Sequence, residues 1–196
     1  MGQIGHSEPG RRIMLRRLYA RYAADSTLAG VRNEAKGVLV PGDGPMYPRL
    51  MFVGEAPGAR EAALRKPFVG ASGNFLNELL ESVGLNRTEI YITNVVKYRP
   101  HLNRDPTDAE VHAGIPYLRR EHRIIGRPPM VMLGKHARKT VEEEYRLPMG
   151  LTVGEWFTLK DGTHVLPLYH PAYGIYQRSN RPLMFEQFKK VLDAPE

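Results

Sequence analysis

Apolar residues along this chain fall into two spacings. Short apolar runs at Leu50–Val53, Met130–Leu133 and Val165–Leu168, and the β-rich run Ile90–Val96, read as strands. Between them apolar positions recur every three or four residues, as one face of a helix requires. The first such helix is Arg11–Ala24, where Met14, Leu18 and Tyr22 share a face with Leu15 and Tyr19. Ser72 reads as the N-cap of a helix through Val83, with Phe75, Leu76, Leu79, Leu80 and Val83 apolar and Gly84 ending it. Thr107 and Glu110 form a capping box for a helix to about His122. Gly134–Glu144 reads as another helix and Leu183–Leu192 as a closing one, while Val38–Val40 reads as a short strand before the turn Pro41–Gly44.

Strands alternating with helices predict an α/β fold: a three-layer sandwich with a central, mostly parallel sheet flanked by helices. With no repeat and no long linker, residues 1–196 read as a single domain, with residues 1–30 a basic helical segment packed on it. Ligands of such sheets bind beyond the carboxyl ends of the strands, which directs attention to the segments after Val53, Ile92, Leu133 and Leu168. The first is GEAPGAREAALRKPFVGASG, Gly54–Gly73. Strand-to-helix connections usually take roughly 2–6 residues, and longer ones bounded by firm structure tend to carry function.

Composition narrows the chemistry. The chain has 196 residues, 42% of them hydrophobic, enough for a substantial core. It has no cysteine, which excludes disulfides and thiolate-bound zinc or iron–sulfur sites. No run is apolar and long enough to span a membrane, and Met1–Arg17 carries four arginines without an apolar signal core, so the expected setting is cytoplasmic. A net charge of +7 attracts polyanions, nucleic acid foremost. The basic residues cluster at Arg11–Arg17, Lys97–Arg104, Arg119–Arg127, Lys135–Lys139 and Arg178–Arg181, and several follow a strand, as if lining one face.

Three strand ends are chemically unusual. After the first come Glu55, Ala56 and Pro57, then Glu61 and Phe68; after the second, TNVVKYRP with Asn94, Lys97 and Arg99; after the last, YHPAYGIYQRSNRP with His170. Two carboxylates, an amide, an aromatic ring and an imidazole at one edge make a pocket for a flat polar ring. Each residue also has an ordinary reading. Glu55 and Glu61 suit solvated loop charges, Phe68 a core position, Asn94 a backbone cap, His170-Pro171 a turn, and Tyr98, Arg99 and Arg104 plain surface. Their order and spacing favour the site.

GEAPGAREAALRKPFVG, TNVVKYRP and YHPAY resemble the motifs of family 4 uracil-DNA glycosylases, over roughly Arg49 to the C-terminus. Glu55 to Phe68 is 13 residues and Phe68 to Asn94 is 26, as in that family. The resemblance implies the uracil-DNA glycosylase fold, a DNA partner containing uracil, and a monomeric enzyme that flips the base out of the helix and hydrolyses its glycosidic bond. Phe68 then stacks on uracil, Asn94 pairs with O4 and N3–H, and His170 donates to O2 as anionic charge gathers there. Backbone N–H groups near Ala56, or Glu55 itself, help hold base and water, with Pro57 in the same base-binding turn. Glu55 and Glu61 are both implicated in handling the water, since Ala56 stands where other branches carry an aspartate. Glu61 or its neighbours guard the side where a thymine methyl would sit, Gly58 being too small. Ser72, Lys97, Ile175, Tyr176, Gln177 and Arg178 are the implied DNA contacts, the segment Tyr173–Arg181 entering the minor groove as a wedge with basic flanks that include Arg181.

The sequence also departs from that family. Its members usually hold an iron–sulfur cluster on four cysteines, one at the position of Tyr98; the expectation here is no cluster, no metal and no other cofactor, with Tyr19, Tyr22, Leu28 and Tyr98 replacing that anchor. Ala62 stands where an acidic residue is common and Arg65 where glycine is, which bears on base choice. Two alternatives to excision of uracil follow: a glycosylase-like protein that binds DNA or a flipped base without cutting, and a glycosylase for another damaged or modified base.

Overall fold

The computed structural model describes residues 7–134 and 152–195. The chain opens with α1 (Glu8–Ala24), a 3-10 turn and α2 (Ala29–Glu34). α1 starts three residues before the first expected position because Ser7 caps it, its hydroxyl accepting from the Gly10 N–H at 3.2 Å, with Pro9 in the first turn. Leu15, Leu18 and Tyr22 form the buried face; Met14, expected there, faces solvent.

The sheet is built from β1 (Leu50–Gly54), β2 (Ile90–Asn94), β3 (Met130–Leu133), β4 (Phe157–Thr158) and β5 (His164–Leu168), in the order β2-β1-β3-β5-β4. The first four are parallel and β4 joins β5 antiparallel at the edge. Successive side chains of a strand point to opposite faces, and the two cores follow from that. Met51 and Val53 pack with α1 and α5 (Asp108–Ile124), whereas Leu50 and Phe52 pack with α4 (Ala71–Ser82) and α7 (Arg181–Phe188). α5 is fixed at its start by the Thr107–Glu110 capping box.

Several boundaries differ from the sequence reading. Val38–Val40 makes only a single bridge, Leu39 to Tyr98, and Asp43 makes another to Ile92; together they cover the exposed edge of β2, which would otherwise invite pairing. α4 is capped by Gly70, so Ser72 lies inside its first turn. A short helix, α3 (Ala59–Leu64), occupies the long Gly54–Gly73 segment. The closing helix starts at Arg181 and tightens to 3-10 from Lys189 to Asp193. Beyond Gly134, the helix expected over Gly134–Glu144 lies outside the described residues, as does the Lys135–Lys139 cluster.

Nor does the basic charge of the described residues line one face. α5 runs from the carboxyl edge of the sheet back to its amino edge, carrying Arg123 and Arg127 away from the strand ends. Arg11 is beside them, donating to the carbonyl of Ile124.

Candidate active site

The carboxyl ends of β1, β2 and β5 surround a cavity of about 350 Å³, lined among others by Glu55, Glu61, Phe68, Asn94, Ser72 and His170. That volume is at the low end of the roughly 300–1,000 Å³ typical of small-molecule sites. The floor depends on a glycine. Gly54 pairs with Asn94 in the sheet, and a Cβ on it would stand 2.5 Å from Asn94 Oδ1 and 2.7 Å from the Phe68 ring. Without a side chain there, an aromatic face and a buried amide share one space.

Phe68 is brought in by an unusual backbone. Its φ is +51, left-handed for a bulky residue, and it is 6% exposed. Such a conformation costs roughly 1–3 kcal/mol and persists only where the surroundings enforce it. Here α4 enforces it: a Cβ on Gly73 would lie 1.9 Å from the Phe68 carbonyl oxygen, so the two backbones are in direct contact. Phe68 belongs to the apolar core and to the cavity wall at once.

Glu61 projects from the first turn of α3. Its Oε1 accepts from the N–H groups of Val69 at 3.0 Å and Gly70 at 2.7 Å, which fixes the carboxylate. Its Oε2 fills the space beside Gly58, where a Cβ would come within 2.9 Å of it. Glu55, Ala56 and Pro57 lie in the turn that leaves β1 and all line the cavity.

His170 follows β5, its ring 5.7 Å from that of Phe68. The Ala172 N–H donates to its Nδ1 at 3.1 Å, so Nδ1 is an acceptor and the ring proton sits on Nε2. Burial pushes its pKa down to about 4, against the opposing pull of Glu61. At neutral pH the ring is therefore an uncharged Nε2–H donor. Gly134 (φ +94) lets it sit this close, a Cβ there coming within 3.1 Å of His170 Cβ.

The DNA contacts expected from the sequence divide. Ser72 lines the cavity from the first turn of α4. After β5 the chain forms α6 (Ala172–Tyr176) and a 3-10 turn. Ile175 packs on the Phe75 cluster, while Tyr176 is 89% exposed on the cavity rim and Gln177 and Arg178 are exposed beside it. Arg181 is engaged elsewhere, over the Phe75 ring, on the Gly174 carbonyl and against Glu78.

Lys97 is no DNA contact. After Asn94 the chain turns along the end of β1, with Val95 and Val96 donating to the carbonyls of Gly54 and Glu55. This sends Lys97 into the interior, 1% exposed, where Nζ donates to Glu121 Oε2 at 2.6 Å, to the Asn94 carbonyl at 2.6 Å and to the Thr93 hydroxyl. Glu121 also accepts from Tyr19 at 2.5 Å, Tyr91 at 2.9 Å and Thr93 at 3.1 Å. Burial, reinforced by Glu121, raises the pKa of both tyrosines well above the ordinary value.

Sequence reasoning also missed a wall of the cavity: Pro100, Asn103, Arg104, Asp105 and Pro106. Arg104 is held there by ion pairs to Glu34 at 2.9 Å and Glu110 at 2.7 Å. The basic run Lys97–Arg104 was the available signal, and it reads equally well as surface.

A family model described as the uracil DNA glycosylase superfamily matches residues 41–194. The chain belongs to that superfamily. It is 38% identical over 162 residues to the type-4 uracil-DNA glycosylase of Saccharolobus solfataricus, covering 79% of this chain and 75% of that one. To the type-4 enzyme of Archaeoglobus fulgidus it is 37% identical over 165 residues, covering 81% and 83%. A 104-residue match to the type-4 enzyme of Pyrobaculum aerophilum reaches 45% identity, with 53% of each chain covered.

An iron–sulfur cluster of the kind family 4 suggests does not fit these residues. The chain has no cysteine to ligate it. The Tyr98 ring is fully buried, 5.5 Å from Tyr22, which in turn packs edge-on against Tyr117 at 4.9 Å. Leu28 belongs to the same core, and Tyr19 reaches into the Glu121 network instead.

Proposed function

We infer that this protein is a uracil-DNA glycosylase, hydrolysing the N-glycosidic bond of a uracil flipped out of DNA and leaving an abasic site. The observation that carries this reading is the meeting of Phe68, Asn94, Glu61 and an uncharged His170 in one cavity at the sheet's carboxyl edge.

Each group has a part. Phe68 offers a face on which the pyrimidine stacks. The Asn94 amide donates to O4 and accepts from N3–H, a pairing that the exocyclic amino group of cytosine opposes. As the bond from C1′ to N1 breaks, its electron pair passes to the base and negative charge gathers on O2, where His170 Nε2–H donates. A donor aimed at developing charge in a partly buried site is worth far more than one in water. The sugar is left cation-like; a water attacks C1′, and the proton it gives up passes through solvent to the uracil anion, which leaves as neutral uracil. The Glu61 carboxylate, held by two backbone N–H groups, opposes the sugar's charge and orients that water, with Glu55 following β1 at the same wall. On the same reading Glu61, whose Oε2 lies beside Gly58, guards the side where a 5-methyl group would sit.

On this reading Tyr176, Gln177 and Arg178, exposed at the cavity rim, enter the groove as the base leaves, and Ser72 meets a phosphate. The same reading has the protein act as one domain and a monomer in the cytoplasm, without metal or organic cofactor; light scattering at the mass of a single 22.2 kDa chain checks the monomer. No helix among the described residues is long and apolar enough to cross a membrane.

Single-turnover cleavage of labelled oligonucleotides tests the activity. Alkali-labile breaks at uracil, absent at thymine and cytosine, are expected. DNA binding without breaks under enzyme excess overturns the enzyme reading, and breaks only at another modified base overturn the assignment of uracil.

A further inference from the structure

Two large exposed apolar side chains stand at the mouth of this cavity, and only one of them has been given work. Tyr176 is the first. The second is Leu102, 80% exposed, between Pro100 and Asn103, both of which line the cavity. Its backbone is left-handed, φ 52 and ψ 26, and Asn103 follows at φ 57. For a leucine that conformation costs roughly 1–2 kcal/mol, and burial returns nothing to a side chain in solvent.

The turn that carries Leu102 is nevertheless braced on every side. Asn103 and Arg104 donate their N–H groups to the carbonyls of Pro100 and His101 at 3.1 and 3.0 Å. Arg99 Nε donates to Asn103 Oδ1 at 2.7 Å, and the His101 N–H to Glu34 at 2.9 Å. Arg104 ties the turn to Glu34 and Glu110. A strained, apolar, rigidly presented tip beside a ligand cavity is where the fold keeps strain for use.

Leu102 and Tyr176 are carried to the cavity by different strands, Leu102 by the segment after β2 and Tyr176 by the segment after β5, with β1 and β3 between those two strands. The two tips therefore stand on separate walls of the site.

We propose that Leu102 is a second wedge, which enters duplex DNA on the side of the flipped uracil away from Tyr176 and holds the neighbouring base pair open. This rests on the reading of the cavity as a uracil-excision site. Unstacking costs a few kcal/mol per step, and inserted apolar side chains are a usual means of offsetting it. Leucine offers no hydrogen bond to a base edge, so the contact is independent of sequence. A single strand has no pair to open, so Leu102 contributes there only weakly.

The test compares excision from single-stranded and duplex uracil DNA by the wild type, Leu102→Asn and Leu102→Met. Asparagine tolerates the left-handed backbone but removes the apolar tip; methionine keeps an apolar tip of similar reach. Leu102→Asn is expected to slow duplex excision about tenfold, equivalent to about 1.4 kcal/mol, and to leave single-strand excision within about twofold, with Leu102→Met close to wild type. A fluorescent purine placed beside uracil should brighten less on binding Leu102→Asn than on binding wild type. Equal slowing on both substrates, or none on either, overturns the wedge while leaving the excision reading intact. If the wild type excises from neither substrate, the excision reading fails, and the fluorescence still decides the wedge: a weaker signal with Leu102→Asn supports it, an unchanged one overturns it.

Discussion

Glu61 and Glu121 are both glutamates held by several donors close to the end of β2, and they are held in opposite ways. Glu121 lies in the interior, fully buried, and its two oxygens are taken up by Lys97, Tyr19, Tyr91 and Thr93. Glu61 uses one oxygen on two backbone N–H groups and turns the other toward Gly58 at the cavity wall. The first arrangement leaves a carboxylate nothing further to do. The second fixes one and keeps an oxygen for a substrate or a water. What separates structure from chemistry here is which lone pairs remain unspent.

The largest expected effect comes from breaking the interior side of that contrast. Glu121→Ala leaves the Lys97 ammonium buried without its counter-charge, which should cost about 3–5 kcal/mol in chemical denaturation. The paired change Lys97→Met with Glu121→Leu should recover most of that loss, because it removes both charges together. If the single change is harmless, the network is not structural in the sense described.

On the cavity side, His170→Ala should slow excision by roughly 10²–10³, the usual cost of one lost donor at a developing oxyanion, with the melting temperature little changed. The pH dependence has a definite sign. The folded pKa of His170, about 4, lies below the unfolded value near 6.5, so between those values the unfolded chain binds more protons. Its contribution to stability is complete above about pH 6.5 and declines as the pH falls toward 4. The excision rate should show no inflection near pH 6.5, because the imidazole is already neutral there; a rate step at that pH would mean that His170 titrates normally.

The smallest effect concerns the tyrosine-filled core. The Tyr98 hydroxyl is buried and has no hydrogen-bond partner among the described residues. Tyr98→Phe should therefore be neutral or stabilise by up to about 1 kcal/mol in thermal melts, since an unsatisfied buried group is a cost. A clear loss of stability would show that the hydroxyl has a partner.

Legibility in the sequence followed the range of the interactions. The four parallel strands, the Thr107–Glu110 capping box and the apolar face of α4 are local patterns, and they appear within two residues of where they were read; the two-residue β4 and the single bridge at Leu39 are too short to leave such a pattern. That Glu61, Phe68, Asn94 and His170 would meet at one sheet edge was legible because their motifs are short and their order is fixed by the strands they follow. Lys97 was misread because its direction is decided by Val95 and Val96 bonding to β1, a non-local event invisible in TNVVKYRP. Met14 and Leu15 are adjacent on one helix, and only the placement of α5 decides which is covered. The wall at Pro100–Pro106 and the left-handed Phe68 and Leu102 depend on tertiary bracing that no local pattern records.

The most direct measurement is the single-turnover rate of uracil excision by Glu61→Gln beside wild type. Glutamine keeps the Oε1 that Val69 and Gly70 donate to and loses only the charge, so the fold should hold, with melting temperatures within a few degrees. The account predicts that wild type forms alkali-labile breaks at uracil and that Glu61→Gln forms them roughly 10²-fold more slowly, in the range of a lost acid–base or charge-stabilising group. Equal rates, or no breaks from either protein, would contradict it.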